Sequence, residues 1–238
     1  MSIIEMMKVK EVKKVKKVKN VKKIIKAAIV ANGEIGDHDF HKGILEESDY
    51  IIACDGGLRH CHILGVVPDC IIGDLDSIEE LCPPDILEKY PNIPVLQFPA
   101  EKDQTDLELA LDHACDKGAD SIVILCGLGG RFDHQIANAH ILAQPLKKGV
   151  QAELQDEDAK IMLIDNKCRL HKSDGILVSL LPLTTTVEGV ITEGLKFPLK
   201  DESLQIGFAR GVSNQITKEW ADISVKAGLL LVVQTRKK

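Results

Sequence analysis

Six aspartates stand where a carboxylate could do chemistry. Asp55 follows the apolar run Ile51-Ile52-Ala53-Cys54, and Asp74 and Asp76 follow Ile71-Ile72-Gly73. Asp103 and Asp106 lie in Lys102-Asp103-Gln104-Thr105-Asp106, and Asp133 lies in Gly127-Leu128-Gly129-Gly130-Arg131-Phe132-Asp133-His134. If the preceding runs are strands of one open sheet, all six carboxylates share the edge beyond the strand ends, where such sheets bind ligands. Two unit charges about 4 Å apart repel by roughly 4 kcal/mol at an effective dielectric of about 20. Magnesium, which demands hard oxygen ligands, makes such a cluster intelligible. Taken singly, each has a plainer reading: Asp55 as a turn residue, Asp106 as a first-turn acid that favours its helix.

In Gly73-Asp74-Leu75-Asp76-Ser77, a tight turn would let two carboxylates converge on one cation and leave Ser77 free for phosphate. The pattern also resembles the D-x-D-x-[TV] loop of haloacid-dehalogenase-like phosphatases, but their later Lys and acidic pair find no clear counterpart. The glycine run 127–130 is expected to follow a buried strand and open a helix, so that Gly129 and Gly130 offer amides to phosphate while Arg131 supplies permanent charge. It is neither a Walker loop nor a dinucleotide fingerprint. His38 and His41, and His60-Cys61-His62, lack convincing ligand spacing and read as surface or packing residues.

The elements that must position these groups come next. Short apolar runs at 27–31, 50–54, 70–72, 94–98 and 121–126 predict buried strands of a parallel sheet covered on both faces. A helix is expected from Asp106, with Leu107, Ala110, Leu111 and Ala114 on one face, a Thr105/Glu108 capping box and Gly118 as its stop. Beyond Val150 helical periodicity fades, and β-rich segments at 175–181, 184–190, 203–208, 221–226 and 229–234 argue for an antiparallel sandwich or small barrel. The expected organisation is a Lys-rich extension over 1–26, an α/β domain over 27–150 and an all-β domain over 151–238.

Composition narrows the class. A chain of 238 residues, 45% hydrophobic, can bury a sizeable core, and 3% aromatic content leaves few stacking platforms for nucleic acid. Residues 1–26 hold ten lysines against two glutamates, so the remaining 212 carry a net −14 where the whole chain carries −6. An acidic body suits a polyphosphate only through metal cations. The V-K-K repeat drifts around a helix without building an apolar face and reads as a solvated extension. Seven cysteines without a C-x-x-C pair fit a reducing cytoplasm, and no membrane span or signal-peptide core is expected.

Together, Cys54-Asp55-Gly56-Gly57, Pro68-Asp69 leading to Gly73-Asp74-Leu75-Asp76-Ser77, Asp103-Gln104-Thr105-Asp106 and Gly129-Gly130-Arg131-Phe132-Asp133-His134 resemble the thiamine pyrophosphokinase family in order and spacing. Gly194-Leu195-Lys196-Phe197-Pro198-Leu199 and Arg210-Gly211-Val212-Ser213-Asn214 resemble its later motifs. The resemblance implies a Rossmann-like catalytic domain with a mostly parallel sheet, an all-β sandwich after it, and a homodimer with active sites between subunits. It implies magnesium at Asp74, Asp76, Asp103 and Asp106, with Asp55 and Asp133 completing the rim and Asp103 or Asp133 a candidate base. ATP would be held by Asp55, Gly56, Gly57, Ser77, Thr105, Gly129, Gly130 and Arg131, and thiamine would meet Ser213 and Asn214. Gln104 stands where bacterial members often carry an acid, the Lys-rich extension matches no family pattern, and Trp220 reads as core. Two other readings stay open: a related pyrophosphokinase acting on another alcohol such as a pterin, and a catalytically silent thiamine or nucleotide sensor.

Overall fold

The computed structural model describes residues 25–237, and the Lys-rich extension lies outside the described residues except for its last two. Six strands are parallel neighbours: β1 (Lys26–Val30), β2 (Tyr50–Cys54), β3 (Cys70–Gly73), β4 (Val95–Gln97), β5 (Ser121–Leu125) and β6 (Gln151–Gln155). Their order is β4-β3-β2-β1-β5-β6. The winding direction reverses between β1 and β5, and that reversal opens a crevice beyond the strand ends.

The unbroken apolar strands are buried because helices cover both faces. On one side α4 (Asp106–Asp116) packs Leu107, Ala110, Leu111 and Ala114 into a cluster with Ile29, Ile52 and Ile124. On the other, α1 (His38–Glu46), α2 (Gly57–Leu64) and α3 (Asp76–Leu81) contribute Leu45, Leu58, Cys61 and Ile78 around Val30, Ala53 and Ile71. The helix α5 (Phe132–Ile141) differs: none of its residues is buried, and Phe132 is 74% exposed. The short α6 (Ala143–Lys147) leads into β6.

The sheet continues through Val150. β6 pairs parallel with β5 and then antiparallel with β7 (Ala159–Ile164), and the order runs on through β13 (Leu230–Arg236) to β9 (Ile176–Pro182), giving nine strands. A second, antiparallel sheet comprises β8 (Lys167–His171), β10 (Thr186–Glu193), β11 (Lys200–Gln205) and β12 (Trp220–Ser224), in the order β11-β10-β12-β8. Leu170, Val187, Val190, Leu204 and Ile223 of this layer face Val178, Leu180, Leu230 and Val232 of the long sheet. The expected α/β body followed by an all-β sandwich is therefore present. Expected strand 203–208 ends early, because Gly207 turns left-handed at φ 91° and leaves Ile206 and Phe208 exposed.

Candidate active site

The strand ends at the crevice hold the backbone in uncommon conformations. Asp55 after β2, Leu75 after β3 and Cys126 after β5 all have positive φ, at 48°, 74° and 54°. Non-glycine residues hold such conformations only where the surroundings over-determine them, and such sites cluster at functional positions. Gly73 is required beside them: at φ 157° a Cβ there would lie 2.9 Å from Asp55 Cβ.

These turns bring Asp55, Asp74 and Asp106 together, each offering an oxygen within 4.8 Å of the others. Asp55 is only 7% exposed, and its Oδ1 receives no hydrogen bond, while the Asp106 Oδ1 is met by the Lys102 ammonium. Buried carboxylate oxygens without donors are costly. Three converging hard oxygens, that of Asp55 without any donor, fit a magnesium ion. Burial pushes the Asp106 carboxyl above its ordinary value even though Lys102 pulls it down.

Lys102 was not singled out by sequence, yet it enters this cluster. Its Nζ lies 3.0 Å from Asp106 Oδ1 and 3.6 Å from Asp74 Oδ2, and it donates to the Pro99 carbonyl at 3.0 Å. Burial works against its charge, but pairing with Asp106 and then Asp74 holds the ammonium above its ordinary value. A loop lysine beside acids carries no sequence signal beyond the spacing of Lys102 and Asp106, four residues apart.

The other expected ligands lie farther out. Asp76 is exposed at the start of α3, its amide donating to Asp74 Oδ1 at 3.2 Å, so the expected tight turn forms while the trio itself is made by Asp55, Asp74 and Asp106. Asp103 is exposed in the loop before α4. Asp133 is exposed and paired with Arg131 at 2.6 Å, a contact that holds its carboxyl below the usual range.

A cleft of about 840 Å³ extends from the trio across the point where strand order reverses. Asn32 and Gly33 after β1, Ser77, Thr105, Gly129, Gly130 and Arg131 line it. Gly129 and Gly130 are left-handed at φ 81° and 69°, as the sharp turn after β5 demands. Thr105 caps α4 through its side chain, with Glu108 returning the bond in the expected capping box. A Cβ on Gly57 would collide with the Val30 carbonyl, so α2 reaches β1 only with glycine there, and a Cβ on Gly56 would meet the Asn32 side chain at the cleft. Two groups that sequence reading left aside also border the cleft: Asn138, which donates to the Gly127 carbonyl at 2.8 Å, and Asn32.

Ser213 and Asn214 lie in the sandwich and are not among the cleft-lining residues. Ser213 is left-handed at φ 61°, and its amide donates to Ser179 Oγ. Asn214 is buried with both ends of its amide bonded to the Phe197 backbone, accepting at 3.0 Å and donating at 2.8 Å. Cys54 and Cys126 are thiols held neutral by burial, the latter pushed up to about 12.

A doubly wound sheet whose reversal-point cleft runs from an acidic trio to a glycine turn, followed by a β-sandwich, has the ligand site of an open α/β enzyme. Residues 41–154 match the family model for the thiamin pyrophosphokinase catalytic domain, and 166–230 match that for its vitamin B1 binding domain. Thiamine pyrophosphokinase of Bacillus subtilis is 30% identical over 195 residues, covering 81% of this chain and 90% of the relative. Its crystal structure superposes with a TM-score of 0.80 at 28% identity, over 90% of this chain and all of that one. Thiamin pyrophosphokinase of Geobacillus thermodenitrificans superposes with a TM-score of 0.76 at 25% identity, over 90% of this chain and 99% of that one. The chain belongs to the thiamine pyrophosphokinase family.

Proposed function

We propose that this enzyme transfers the pyrophosphoryl group of ATP to the hydroxyl of thiamine, giving thiamine pyrophosphate and AMP, in a magnesium-dependent reaction. The observation that carries this reading is the trio Asp55, Asp74 and Asp106 beyond the ends of β2, β3 and β4, at one side of a cleft that crosses the sheet's reversal point to the glycine turn after β5. These carboxylates would hold magnesium, which supplies charge neutralisation to a polyphosphate. Asp76 and Asp103, exposed on the segments that carry Asp74 and Asp106, would serve its bound waters. The Gly129 and Gly130 turn would cradle phosphate, with Arg131 turning from Asp133 to an equatorial oxygen.

Catalysis of this class is mainly alignment and electrostatic stabilisation. The cleft holds the β-phosphorus in line with the incoming hydroxyl, and Asp103 or Asp133 takes the hydroxyl proton as attack proceeds. Ser213 and its neighbours are proposed to meet thiamine across a homodimer, since they sit in the sandwich rather than in the cleft of their own chain. The unburied α5, with Phe132 and Ile136 exposed beside the cleft, supports a second copy packing there. No helix among the described residues is long and apolar enough to cross a membrane. A cytoplasmic setting is part of the proposal, and it agrees with seven free cysteines.

The test is incubation of the protein with thiamine, ATP and magnesium, following both products. AMP and thiamine pyrophosphate should appear in equal amounts, and Asp74→Asn should lose on the order of a hundred-fold or more in kcat. AMP formed only with a different alcohol would leave the chemistry standing and reject thiamine as substrate.

A further inference from the structure

Lys102 already occupies oxygens that a divalent cation needs. Its ammonium lies 3.0 Å from Asp106 Oδ1 and 3.6 Å from Asp74 Oδ2, ion pairs with both carboxylates, and donates to the Pro99 carbonyl at 3.0 Å. Its side chain is only 15% exposed. Three carboxylates converge here, so without a nearby cation their mutual repulsion would be uncompensated. An ammonium and a dication drawn to the same carboxylate oxygen repel each other, so the two compete for Asp106 Oδ1.

The same cleft offers the ammonium a second position. Among the described residues lining it, Lys102 and Arg131 carry permanent positive charge. Arg131 stands at the rim, 71% exposed and bound to Asp133, whereas Lys102 lies deep beside the trio. A lysine is a compact charge on a flexible four-carbon stem, suited to moving between carboxylate and phosphate oxygens a few ångströms apart.

We propose that Lys102 is the resident counter-ion of the acidic trio. It holds Asp74 and Asp106 while no metal is bound, yields their oxygens when metal and nucleotide enter, and transfers its ammonium to the polyphosphate. No covalent bond changes in this exchange. The proposal rests on the metal-dependent reading above and adds an ordered role for a side chain outside the ligand set.

The test uses Mn2+ as the probe on the full-length, nucleotide-free protein, by calorimetric titration, with thermal melting in chelator and at saturating Mn2+. Lys102→Met should bind Mn2+ about ten-fold more tightly than the parent, as removal of a competing ligand requires. It should also melt lower in chelator, with the deficit recovered at saturating Mn2+, while its KM for the nucleotide rises. Lys102→Arg should keep the parental melting in chelator. Should the Met variant not fold, Lys102→Gln supports the same comparison. Parental Mn2+ affinity and parental melting in Lys102→Met would overturn the counter-ion role, and an unchanged nucleotide KM would overturn the phosphate step. Failure of the parent itself to bind Mn2+ would overturn the metal reading and this proposal with it.

Discussion

His60 links a buried ring to the rim of the cleft. It is 2% exposed on α2, and its Nε2 lies 2.8 Å from the carbonyl of Gly33, so that nitrogen carries the proton and donates. Its Nδ1 has no partner, and burial holds the ring's pKa below 6.5. The folded protein therefore favours the neutral ring, and the stability this provides is fully present above about 6.5 and lost as pH falls. Denaturant midpoints should drop between pH 7 and pH 5, and His60→Gln, whose amide can keep the bond to Gly33, should show a shallower drop. Parallel curves for the two proteins would remove His60 from the effect. Residue types at strand ends made Asp55, Asp74 and Asp106 visible in sequence, because apolar runs announce where a strand stops. Lys102 and Asn138 stayed hidden because their partners are decided by how separate loops meet, and Asn214 changed meaning once its amide proved bonded to Phe197.

At the scale of elements, α4 carries Asp106 to the trio from its first turn. The Thr105 cap and its reciprocal bond from Glu108 fix where that turn begins. Thr105→Ala should cost about 1 kcal/mol, lowering the melting temperature by about 2–4 °C for a chain of this size. Thr105→Ser should restore most of it, and a melting curve unchanged by the alanine would deny the cap its role. This helix was legible because capping, apolar spacing and a glycine stop agree over a short window. The expected bounds of β11 differ from the observed ones, since apolar alternation at Leu204, Ile206 and Phe208 signals a strand while Gly207 dictates the turn. The lack of buried residues on α5 had no local signal, because burial depends on what other elements leave uncovered.

Across the whole molecule, strands of the long sheet join the two cores, β7 with Leu163 in one and Ile164 in the other, and β13 likewise. On β13, Leu231 packs into the helix-covered core, while Leu230 and Val232 pack into the sandwich core. The single Trp220 lies on β12 in the second layer, 43% exposed rather than in the core as its sequence setting suggests, so its fluorescence follows the sandwich, whereas far-ultraviolet circular dichroism follows the helices. The two signals should trace one cooperative unfolding curve, and Leu231→Ala should shift both together by about 2–5 kcal/mol. Separate midpoints would mean that the two cores unfold independently. A change of texture near Val150 was readable in sequence, but continuity of the sheet through β6 was not, because pairing partners are non-local.

The seat of β13 between β7 and β9 also orders events during synthesis. Every other strand among the described residues is synthesised before it, so β7 and β9 must wait with unpaired backbone edges until residues 230–236 emerge. Edges of this kind recruit strands from other chains. A polysome carrying several such nascent chains holds them at high local concentration, so prompt insertion of β13 is what keeps those edges from pairing between neighbouring chains.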